Sequence, residues 1–163
     1  MIKPWNEYFL EIAKTCSCRS NCFRAKVGAV IVGEDKKIKA TGYNGTPSKV
    51  TSCYEIGKCY RIENNIPSGT RYETCRSIHA EQNAIIQAGQ DRCKDATMYI
   101  YGHNFICILC KRFIVQAGIK DVYLQKDENS PVEYVTVEQI RQELDADRPV
   151  SYTHLRAHET RHD

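Results

Sequence analysis

The sequence has no long apolar run. No stretch among its 163 residues approaches the roughly 20 consecutive apolar residues that a membrane-spanning helix needs. The N-terminal segment contains Asn6 and Glu7 where a signal peptide would have its apolar core. These absences argue against an integral membrane protein and against a secreted one, and they predict a cytoplasmic location.

Basic tracts and internal repeats are also missing. The formal net charge is +3 at pH 7, and no block of lysine and arginine is interleaved with aromatic residues. A nucleic-acid-binding groove usually carries such a block, so we expect no nucleic-acid partner. A small anionic ligand is compatible with the mild positive charge, and the chain length fits one domain with a buried core.

Cysteine, by contrast, is abundant. The chain has nine cysteines, and without a secretion signal they do not indicate a disulfide framework. The odd number also argues against a complete set of disulfides. In a reducing compartment, metal ligands and buried free thiols are the better interpretations.

Two short motifs combine metal ligands with an acid. His79 and Glu81 are two residues apart, and Cys107 and Cys110 have an i, i+3 spacing. One imidazole and two thiolates fit catalytic zinc, which takes three protein ligands and keeps a fourth position for water. H-x-E followed by P-C-x-x-C is the signature of zinc deaminases, in which the glutamate carries protons and does not bind the metal. A structural zinc with some other fourth ligand is the alternative.

Both motifs are predicted to lie at helix N-termini. Ser77 is a suitable N-cap for a helix from Ile78 to about Ala88, and a second helix is predicted to begin at Cys107. The positive end of a helix lowers the pKa of a thiol and so favours the thiolates that zinc requires. In this arrangement Glu81 accepts a proton from water and passes it to a ring nitrogen of the substrate, and ammonia is then released.

The remaining apolar pattern predicts alternating helices and strands, which indicates an α/β sandwich with helices on both faces of a mixed sheet. Residues 48–76 have no clear period, and so long a loop in a compact domain is usually functional or tied by a metal. The predicted elements are, in order, a helix at 4–15, strands at 27–32 and 37–41, a helix at 78–88, a strand at 96–101, a helix at 107–117, a strand at 119–124, and a helix that a capping box at 136–139 opens and that ends near 144.

The C-terminal end of the chain has a different composition. Residues 151–163 show no apolar period and contain three of the five histidines. We interpret these residues as a tail that is non-native or disordered, and we assign residues 1–150 to a single domain. With the tail set aside, His79 and His103 are the histidines left as candidate ligands.

Several segments between about residue 5 and residue 124 are more specific than the zinc motif. They are Arg19-Ser20-Asn21-Cys22, Val27-Gly28-Ala29-Val30-Ile31-Val32, Thr41-Gly42-Tyr43-Asn44-Gly45-Thr46-Pro47-Ser48, Ile66-Pro67-Ser68-Gly69-Thr70-Arg71-Tyr72-Glu73, His79-Ala80-Glu81-Gln82-Asn83-Ala84-Ile85-Ile86 and Ala117-Gly118-Ile119. In these segments the chain resembles the deoxycytidylate (dCMP) deaminases of the cytidine deaminase-like superfamily. The resemblance implies a three-layer α/β/α sandwich with a mixed five-stranded sheet. It also implies zinc-dependent conversion of dCMP to dUMP and ammonia for thymidylate synthesis, and commonly a hexamer regulated by dCTP and dTTP.

The resemblance also assigns roles to individual residues. Asn44 matches the residue that contacts the substrate sugar, and Ala80 is expected to contact the substrate as well. From the residues alone, Asn44-Gly45 indicates only a turn. The zinc ligands and the proton carrier match the residues proposed above, His79, Cys107, Cys110 and Glu81. Because the family's nucleotide regulators bind the loop from residue 42 to 46, the resemblance implies regulator contacts at Gly42, Tyr43, Asn44 and Gly45.

Family members often hold a second, structural zinc in the loop-rich half of the chain. Four thiolates there would close a tetrahedral site and tie residues 48–76 to the first helix. The alternative is that these cysteines are buried free thiols that behave as small apolar side chains. The candidate ligands are Cys22, Cys53, Cys59 and Cys75, with Cys16 or Cys18 as replacements, whereas Cys93 is interpreted as a lone thiol.

The sequence departs from the family pattern at three places. Ile106 stands where a proline usually precedes the first zinc cysteine, a change that costs rigidity rather than chemistry. Relatives often carry a basic residue and a tyrosine near the substrate phosphate, and those neighbourhoods here are Gly89-Gln90 and Lys126-Asp127-Glu128. The cations that could replace the missing phosphate contacts are Arg92, Lys94 and Lys126.

Two other functions are compatible with the same motifs. One is a related zinc deaminase that acts on a free base, a nucleoside or a tRNA adenosine, although a tRNA enzyme would need a basic tract. The other is a non-catalytic nucleotide sensor stabilised by zinc, for which Glu81 would be superfluous. His103 is predicted to anchor a loop or to lie in the wall of the pocket rather than to bind the metal.

Overall fold

The structure is a computed structural model that describes residues 1–146. The predicted domain boundary at residue 150 and the predicted tail at 151–163 lie outside the described residues. Within residues 1–146, no helix is both long enough and apolar enough to cross a membrane.

Helices and strands alternate along the described chain. In order they are α1 (Trp5–Ser17), β1 (Gly28–Val32), β2 (Ile38–Tyr43), α2 (Cys53–Ile56), α3 (Tyr60–Glu63), α4 (Ala80–Ala88), α5 (Gln90–Cys93), β3 (Thr97–Tyr101), α6 (Ile108–Ala117), β4 (Asp121–Gln125), β5 (Glu133–Thr136) and α7 (Val137–Ala146). The strands form one mixed sheet with the order β2-β1-β3-β4-β5. Only the β3–β4 pair is parallel.

Strand β1 lies inside the sheet and is completely buried. Its sequence, GAVIV, is the continuous apolar run that a strand covered on both faces needs. Val30 pairs with Thr41 of β2 on one side and with Tyr99 of β3 on the other, so its backbone is satisfied on both edges. The predicted buried strand at 27–32 is confirmed.

Helices cover both faces of the sheet. On one face, α1 packs Phe9, Leu10 and Ala13 against Val30, Val32 and Tyr99. On the other face, α4, α6 and α7 pack against alternate residues of the same strands, and the buried cluster there includes Ala29, Ile31, Met98 and Ile100. Because successive side chains of a strand point to opposite faces, β1 and β3 supply both cores. The predicted three-layer α/β/α sandwich is confirmed.

Two glycines allow the helices to approach the sheet closely. A Cβ atom on Gly28 would lie 2.0 Å from the carbonyl oxygen of Ala13 in α1. A Cβ atom on Gly42 would lie 2.5 Å from the carbonyl oxygen of Ala80 in α4. Gly42 was predicted to contact a regulator, and its position shows a packing role that the sequence did not reveal.

The start of α4 differs from the sequence-based expectation. The predicted N-cap at Ser77 is wrong, because Ile78 forms an extended bridge with Gly45 and the helix begins only at Ala80. His79 is the N-cap, and its backbone N–H donates to Oε1 of Gln82 at 2.9 Å. Likewise, α6 begins at Ile108 with Cys107 as its N-cap. Both shifts place a metal-ligand candidate at the cap itself.

The second half of the sheet contains a strand that the apolar pattern did not predict. Strand β5 is a short, half-exposed edge strand that pairs antiparallel with β4. It leads directly into α7, where the predicted capping box is confirmed: the backbone N–H of Gln139 donates to Oγ1 of Thr136, and the backbone N–H of Thr136 donates to Oε1 of Gln139.

The segment from residue 48 to 76 is not an irregular loop throughout. It contains α2, α3 and a 3₁₀ turn at Tyr72–Thr74. Local capping explains the first of these helices, since Ser52 and Glu55 form a capping box and Gly57 ends the helix with φ of 89°. Short helices of one turn give no apolar period, which is why the sequence pattern missed them.

Candidate metal centre and active site

The N-termini of α4 and α6 meet at one end of the sheet. His79 caps α4, while Cys107 caps α6 and Cys110 lies in its first turn. The two helices share the buried cluster that contains Ala80, Ala84 and Ile114, so their relative position is fixed by packing. Two sequence motifs 28 residues apart therefore deliver three potential metal ligands to one point.

The geometry of these three residues fits a tetrahedral zinc ion. His79 Nδ1 lies 3.3 Å from Cys107 Sγ and 3.3 Å from Cys110 Sγ. All three ligand atoms lie within 4.8 Å of one another. Ligands at the usual zinc–nitrogen and zinc–sulfur distances of about 2.0 and 2.3 Å are separated by roughly 3.5 Å in a tetrahedron. One imidazole and two thiols with this spacing are therefore a suitable zinc-binding set.

Hydrogen bonds favour a thiolate at Cys107. The Cys110 thiol, the His79 ring and the backbone N–H of Cys110 all act on Cys107 Sγ, and they hold the pKa of Cys107 well below its ordinary value in spite of burial. The pKa of Cys110 is raised, because its thiol donates to Cys107 and is buried. Cys107 is thus the preferred thiolate, and a bound cation would favour loss of the second proton from Cys110.

Glu81 lies beside this cluster in the first turn of α4. Only 3% of the residue is exposed, and it is not one of the three clustered ligand residues. Burial raises the pKa of its carboxyl group above the ordinary value, and its own backbone N–H and His79 only partly oppose this effect. A buried carboxyl group with a raised pKa is suited to general acid–base catalysis near neutral pH.

A cavity opens onto His79, Glu81 and Cys107. Its wall combines apolar and aromatic side chains with a few polar groups, as small-molecule sites usually do. Both predicted substrate contacts line it. The wall includes Val27, Asn44, Tyr72, Ala80, His103 and Phe105.

Asn44 holds the wall of the cavity together. Its Oδ1 accepts the backbone N–H of Val27 at 2.9 Å, and its Nδ2 donates to the carbonyl oxygen of Ala25 at 2.8 Å. The residue is 8% exposed, and an amide has one further N–H and one further lone pair for a ligand. The predicted sugar contact is therefore compatible with a structural role that sequence reasoning missed.

Two aromatic contacts complete the wall near the metal ligands. The Tyr72 ring lies edge-on to the His79 ring with their centres 5.2 Å apart. Burial and the neighbouring Cys107 raise the pKa of Tyr72 to about 12, so its hydroxyl stays protonated. His103 packs against Phe105, and burial lowers its pKa. His103 lies in the pocket wall, as predicted. Tyr72 also lies in this wall, but the sequence indicated only that it belongs to a segment shared with the family.

The second set of cysteines is brought into one neighbourhood but is more widely spaced. The pKa of Cys53 is raised by burial and then by Cys59, Cys22 and Cys75, so the four thiols interact. Backbone N–H groups donate to two of the sulfurs, from Arg24 to Cys22 at 3.3 Å and from Ser77 to Cys75 at 3.5 Å. Within residues 1–146, the His79 cluster is the only group of three or more potential ligands within 4.8 Å of one another.

The replacement candidates Cys16 and Cys18 lie at the end of α1 and serve other contacts. Burial raises the pKa of Cys16, and Cys18 donates to the carbonyl oxygen of Lys14. Cys93, the last residue of α5, is completely buried, which agrees with its interpretation as a lone thiol.

The residues at the two departures that concern the substrate phosphate do not line the cavity. Gln90 donates to the carbonyl oxygen of Gln116, and Glu128 pairs with Lys14. Neither they nor the suggested replacements Arg92, Lys94 and Lys126 are among the residues that line the cavity. Lys126 is nevertheless close enough to His103 to contribute to lowering its pKa, after burial and His79.

The predicted regulator residues separate into two groups. Asn44 lines the catalytic cavity, whereas Gly42, Tyr43 and Gly45 line a separate surface groove. Two buried polar atoms in this groove, Asn21 Oδ1 and Thr46 Oγ1, have no hydrogen-bond partner among the described residues.

The chain matches the family model for the cytidine and deoxycytidylate deaminase zinc-binding region over residues 3–126. It is 39% identical over 125 residues to the deoxycytidylate deaminase of Schizosaccharomyces pombe, which is 77% of this chain and 38% of that protein. It is 35% identical over 132 residues to the deoxycytidylate deaminase of Mycobacterium phage D29, which is 78% of this chain and 99% of that protein. The chain thus spans well under half the length of the yeast relative, but it covers nearly all of the phage relative.

Solved structures show the same fold. The dCMP deaminase of cyanophage S-TIM5, in complex with dCMP and dUMP, superimposes with a TM-score of 0.54 and 29% sequence identity. The alignment covers 76% of this chain and 83% of that chain.

Proposed function

The chain belongs to the cytidine and deoxycytidylate deaminase family, and we propose that it hydrolyses dCMP to dUMP with release of ammonia. The observation that carries this proposal is the position of Glu81. Its buried carboxyl group, whose pKa is raised, lines the cavity beside the potential zinc ligands His79, Cys107 and Cys110. A protein that only sensed nucleotides would have no need of that group, since burying an acid is costly.

The potential metal ligands and Glu81 have separate tasks in this reaction. His79, Cys107 and Cys110 would hold zinc, which would supply Lewis-acid activation of a water molecule. Glu81 accepts a proton from that water and delivers it to N3 of the cytosine ring. The water oxygen first adds to C4, and the C4–amine bond breaks in a second step, in which the second water proton is transferred to the amine and ammonia leaves. Both protons of the water are then accounted for, and Glu81 returns to its starting state.

The cavity wall supports binding of a polar ring and its sugar. Asn44 keeps one amide hydrogen for an acceptor on the sugar, and Ala80, which lines the same cavity, is the proposed contact for the base. The hydroxyl oxygen of Ser77 also lines the cavity and is buried without a partner in residues 1–146. A buried polar atom of this kind is usually satisfied by a ligand or a water molecule.

Regulation by a nucleotide is a further part of the proposal. The groove at Gly42, Tyr43 and Gly45 contains two unpartnered polar atoms, Asn21 Oδ1 and Thr46 Oγ1. Addition of dCTP or dTTP should therefore change the dependence of rate on dCMP concentration, and no change with either would contradict the idea. A hexamer and a place in thymidylate supply stay predictions of the resemblance, and a cytoplasmic location stays a prediction from the sequence.

The direct test of the main proposal measures ammonia release by the wild type and by Glu81→Gln. With dCMP, the variant should lose at least about 10²- to 10⁴-fold in kcat, which is the usual contribution of a general acid–base group. Its zinc content should match that of the wild type, because Glu81 is not a ligand. A zinc-loaded variant with wild-type turnover would contradict the assigned role.

A substrate panel separates the proposed reaction from its alternatives. Deoxycytidine, CMP, cytosine, guanine and a tRNA adenosine stem-loop should all be poorer substrates than dCMP. Faster turnover of any one of them would identify a related deaminase instead. Zinc binding and nucleotide binding without turnover of any compound would indicate the non-catalytic sensor.

A further inference from the structure

We infer that Arg24 and Arg61 recognise the 5′-phosphate of the nucleotide, a role that the sequence had led us to expect from Arg92, Lys94 or Lys126. The inference rests on the proposed function, since it concerns how the same cavity selects a nucleotide over a nucleoside. Arg24 and Arg61 both line that cavity.

Arg61 is a buried cation without an acidic partner among the residues that the structure describes. Only 5% of the residue is exposed. The ion pairs in residues 1–146 use other cations, and no carboxylate lies within 4.0 Å of the Arg61 guanidinium. Burial of a charge is costly unless it is paired, so an uncompensated guanidinium beside a cavity favours an anionic ligand.

The guanidinium of Arg61 is fixed in position but not saturated. Its Nη1 donates to the carbonyl oxygen of Arg71 at 2.6 Å and to Oγ1 of Thr74 at 2.9 Å, and its Nη2 donates to the carbonyl oxygen of Pro67 at 3.1 Å. These bonds use three of the five N–H donors of the group, so two remain. A planar fork held in this way is well suited to phosphate oxygens.

Arg24 contacts the same backbone segment as Arg61. Its Nη2 donates to the carbonyl oxygen of Ile66 at 2.6 Å, next in the chain to the carbonyl that Arg61 contacts. The residues that follow, Ser68 and Gly69, also line the cavity. Two guanidinium groups, both without a carboxylate partner in the described residues, are therefore anchored to consecutive peptide units at one rim.

The distance from this rim to the metal ligands suits a nucleotide. The Cζ of Arg61 lies 5.6 Å from the centre of the Tyr72 ring, and the Tyr72 ring centre lies 5.2 Å from that of His79. The guanidinium is therefore separated from the metal ligands by one aromatic side chain. With the base at His79 and Glu81, the sugar would lie along Tyr72 and the phosphate would reach the arginines.

The charge of the cavity is consistent with this orientation. Glu81 is the only acidic residue in its lining among residues 1–146, and it lies at the opposite, metal end. Lys126 is the competing cation, because it lies near His103 although it does not line the cavity. Arg92 is exposed on α5 and does not line the cavity, so it provides a matched control.

The test compares kcat/KM for dCMP with kcat/KM for deoxycytidine, which lacks the phosphate. The proteins are the zinc-loaded wild type, Arg24→Gln, Arg61→Gln, Lys126→Gln and Arg92→Gln. We expect the ratio of the two values to fall about 10- to 100-fold for each of Arg24→Gln and Arg61→Gln, because a hydrogen-bonded charge pair to phosphate is lost. The fall should come mainly from KM for dCMP, and Arg92→Gln should keep the wild-type ratio.

A purely structural role for Arg61 would give a different result. If Arg61 only anchors the 66–74 backbone, its variant loses activity on both substrates and the ratio stays within about twofold of the wild type. Arg24→Gln then tests phosphate recognition with less disturbance of the fold, because Arg24 is exposed and makes one anchoring contact. An unchanged ratio in both arginine variants, or a fall in Lys126→Gln alone, would overturn the inference.

Product binding separates this inference from the proposed function. Calorimetric titration with dUMP and with deoxyuridine measures phosphate recognition without turnover. Tighter binding of dUMP that is lost in Arg24→Gln and Arg61→Gln supports the inference even if the wild type deaminates neither substrate, in which case the proposed function fails alone. Turnover of dCMP with equal binding of dUMP and deoxyuridine would leave the function standing and reject the arginine site.

Discussion

The two walls of the catalytic cavity are built in different ways. The wall formed by the starts of α4 and α6 belongs to the apolar core: Ala80, Ala84 and Cys110 have no exposed surface. The wall formed by residues 48–76 adds little to the core. Its large side chains are mostly exposed, for instance Tyr54 at 71% and Tyr60 at 58%.

Different interactions hold the two walls. The first is fixed by helix packing on the sheet, with Gly42 allowing contact between backbones. The second is held by polar contacts, chiefly the three hydrogen bonds of Arg61 and the capping box at Ser52. Close-packed cores tolerate little displacement, whereas segments held by few apolar contacts open more easily. The chemical groups lie on the rigid wall, and one of the two proposed phosphate contacts, Arg61, lies on the polar one, to which Arg24 donates a hydrogen bond at Ile66.

The largest loss of stability is expected from adding a side-chain carbon at Gly42, where α4 packs closely on the sheet. In Gly42→Ala, the new Cβ would lie 2.5 Å from the carbonyl oxygen of Ala80 and 2.6 Å from the backbone nitrogen of Ala84. Because backbone atoms cannot rotate away, we expect a loss of about 3 kcal/mol in the free energy of unfolding. Displacement of α4 also moves His79 and Glu81, so kcat/KM for dCMP should fall strongly.

Gly45→Ala is the matched control three residues away. A Cβ there would meet Asn21 Oδ1 at 3.4 Å, which is ordinary contact. Its free energy of unfolding, measured by urea denaturation, should stay within about 0.5 kcal/mol of the wild type. Equal destabilisation of the two variants would mean that the loop, and not the contact between α4 and β2, limits stability.

The local stability of the polar wall should depend instead on the cysteines that are proposed to bind a structural zinc. If Cys22, Cys53, Cys59 and Cys75 bind a structural zinc, Cys75→Ser should lower the zinc content from about two ions per chain to about one. Trypsin should then cut within residues 48–76 roughly tenfold faster, which corresponds to about 1.4 kcal/mol of local stability. The unfolding of the rigid wall should change much less, because the zinc set at His79 is separate.

Cys18→Ser is the control for the cysteine experiment. Cys18 is exposed and donates to the carbonyl oxygen of Lys14, so its loss should leave zinc content and trypsin cleavage unchanged. Zinc loss in Cys18→Ser but not in Cys75→Ser would assign the site to the alternative ligands. One zinc ion per chain in the wild type would mean that the four cysteines are free thiols.

The rigid wall could be predicted from the sequence far better than the polar one. His79, Glu81, Cys107 and Cys110 were found because the metal-ligand spacing is local and both motifs start helices. The buried strand β1 was found because its β-branched run is continuous. In each case the chemistry and the local conformation depend on residues that are close in the sequence, so no long-range contact had to be known.

The missed features depend on contacts between distant residues. Arg24 and Arg61 are isolated basic residues in the sequence, and only the fold brings both to the carbonyl groups of Ile66 and Pro67. Gly42 was assigned to a loop because the approach of α4 has no local signal. Strand β5 is four residues long and half-exposed, so it has neither an apolar run nor a clear alternation.

The smallest expected effect is a difference in the rate of thiol alkylation between the packed core and the polar wall. Cys93 has no exposed surface, and burial raises its pKa above the ordinary thiol value. Since alkylation requires the thiolate, iodoacetamide should label Cys93 slowly near neutral pH and faster as the pH approaches the raised pKa. The free energy of unfolding should fall over the same pH range. The contribution of the buried thiol to stability is intact below the ordinary thiol pKa of about 8.5 and is lost as the pH rises through the raised value.

Mass spectrometry of partly labelled protein would give the order in which the cysteines react. Cys18 is exposed and should be labelled first. After zinc is removed with a chelator, Cys59 and Cys75 of the polar wall should follow, and Cys93 should come last. If Cys93 were labelled as fast as Cys59 at pH 8, the core around α5 would open as readily as residues 48–76, and the difference between a packed wall and a polar one would not hold in solution.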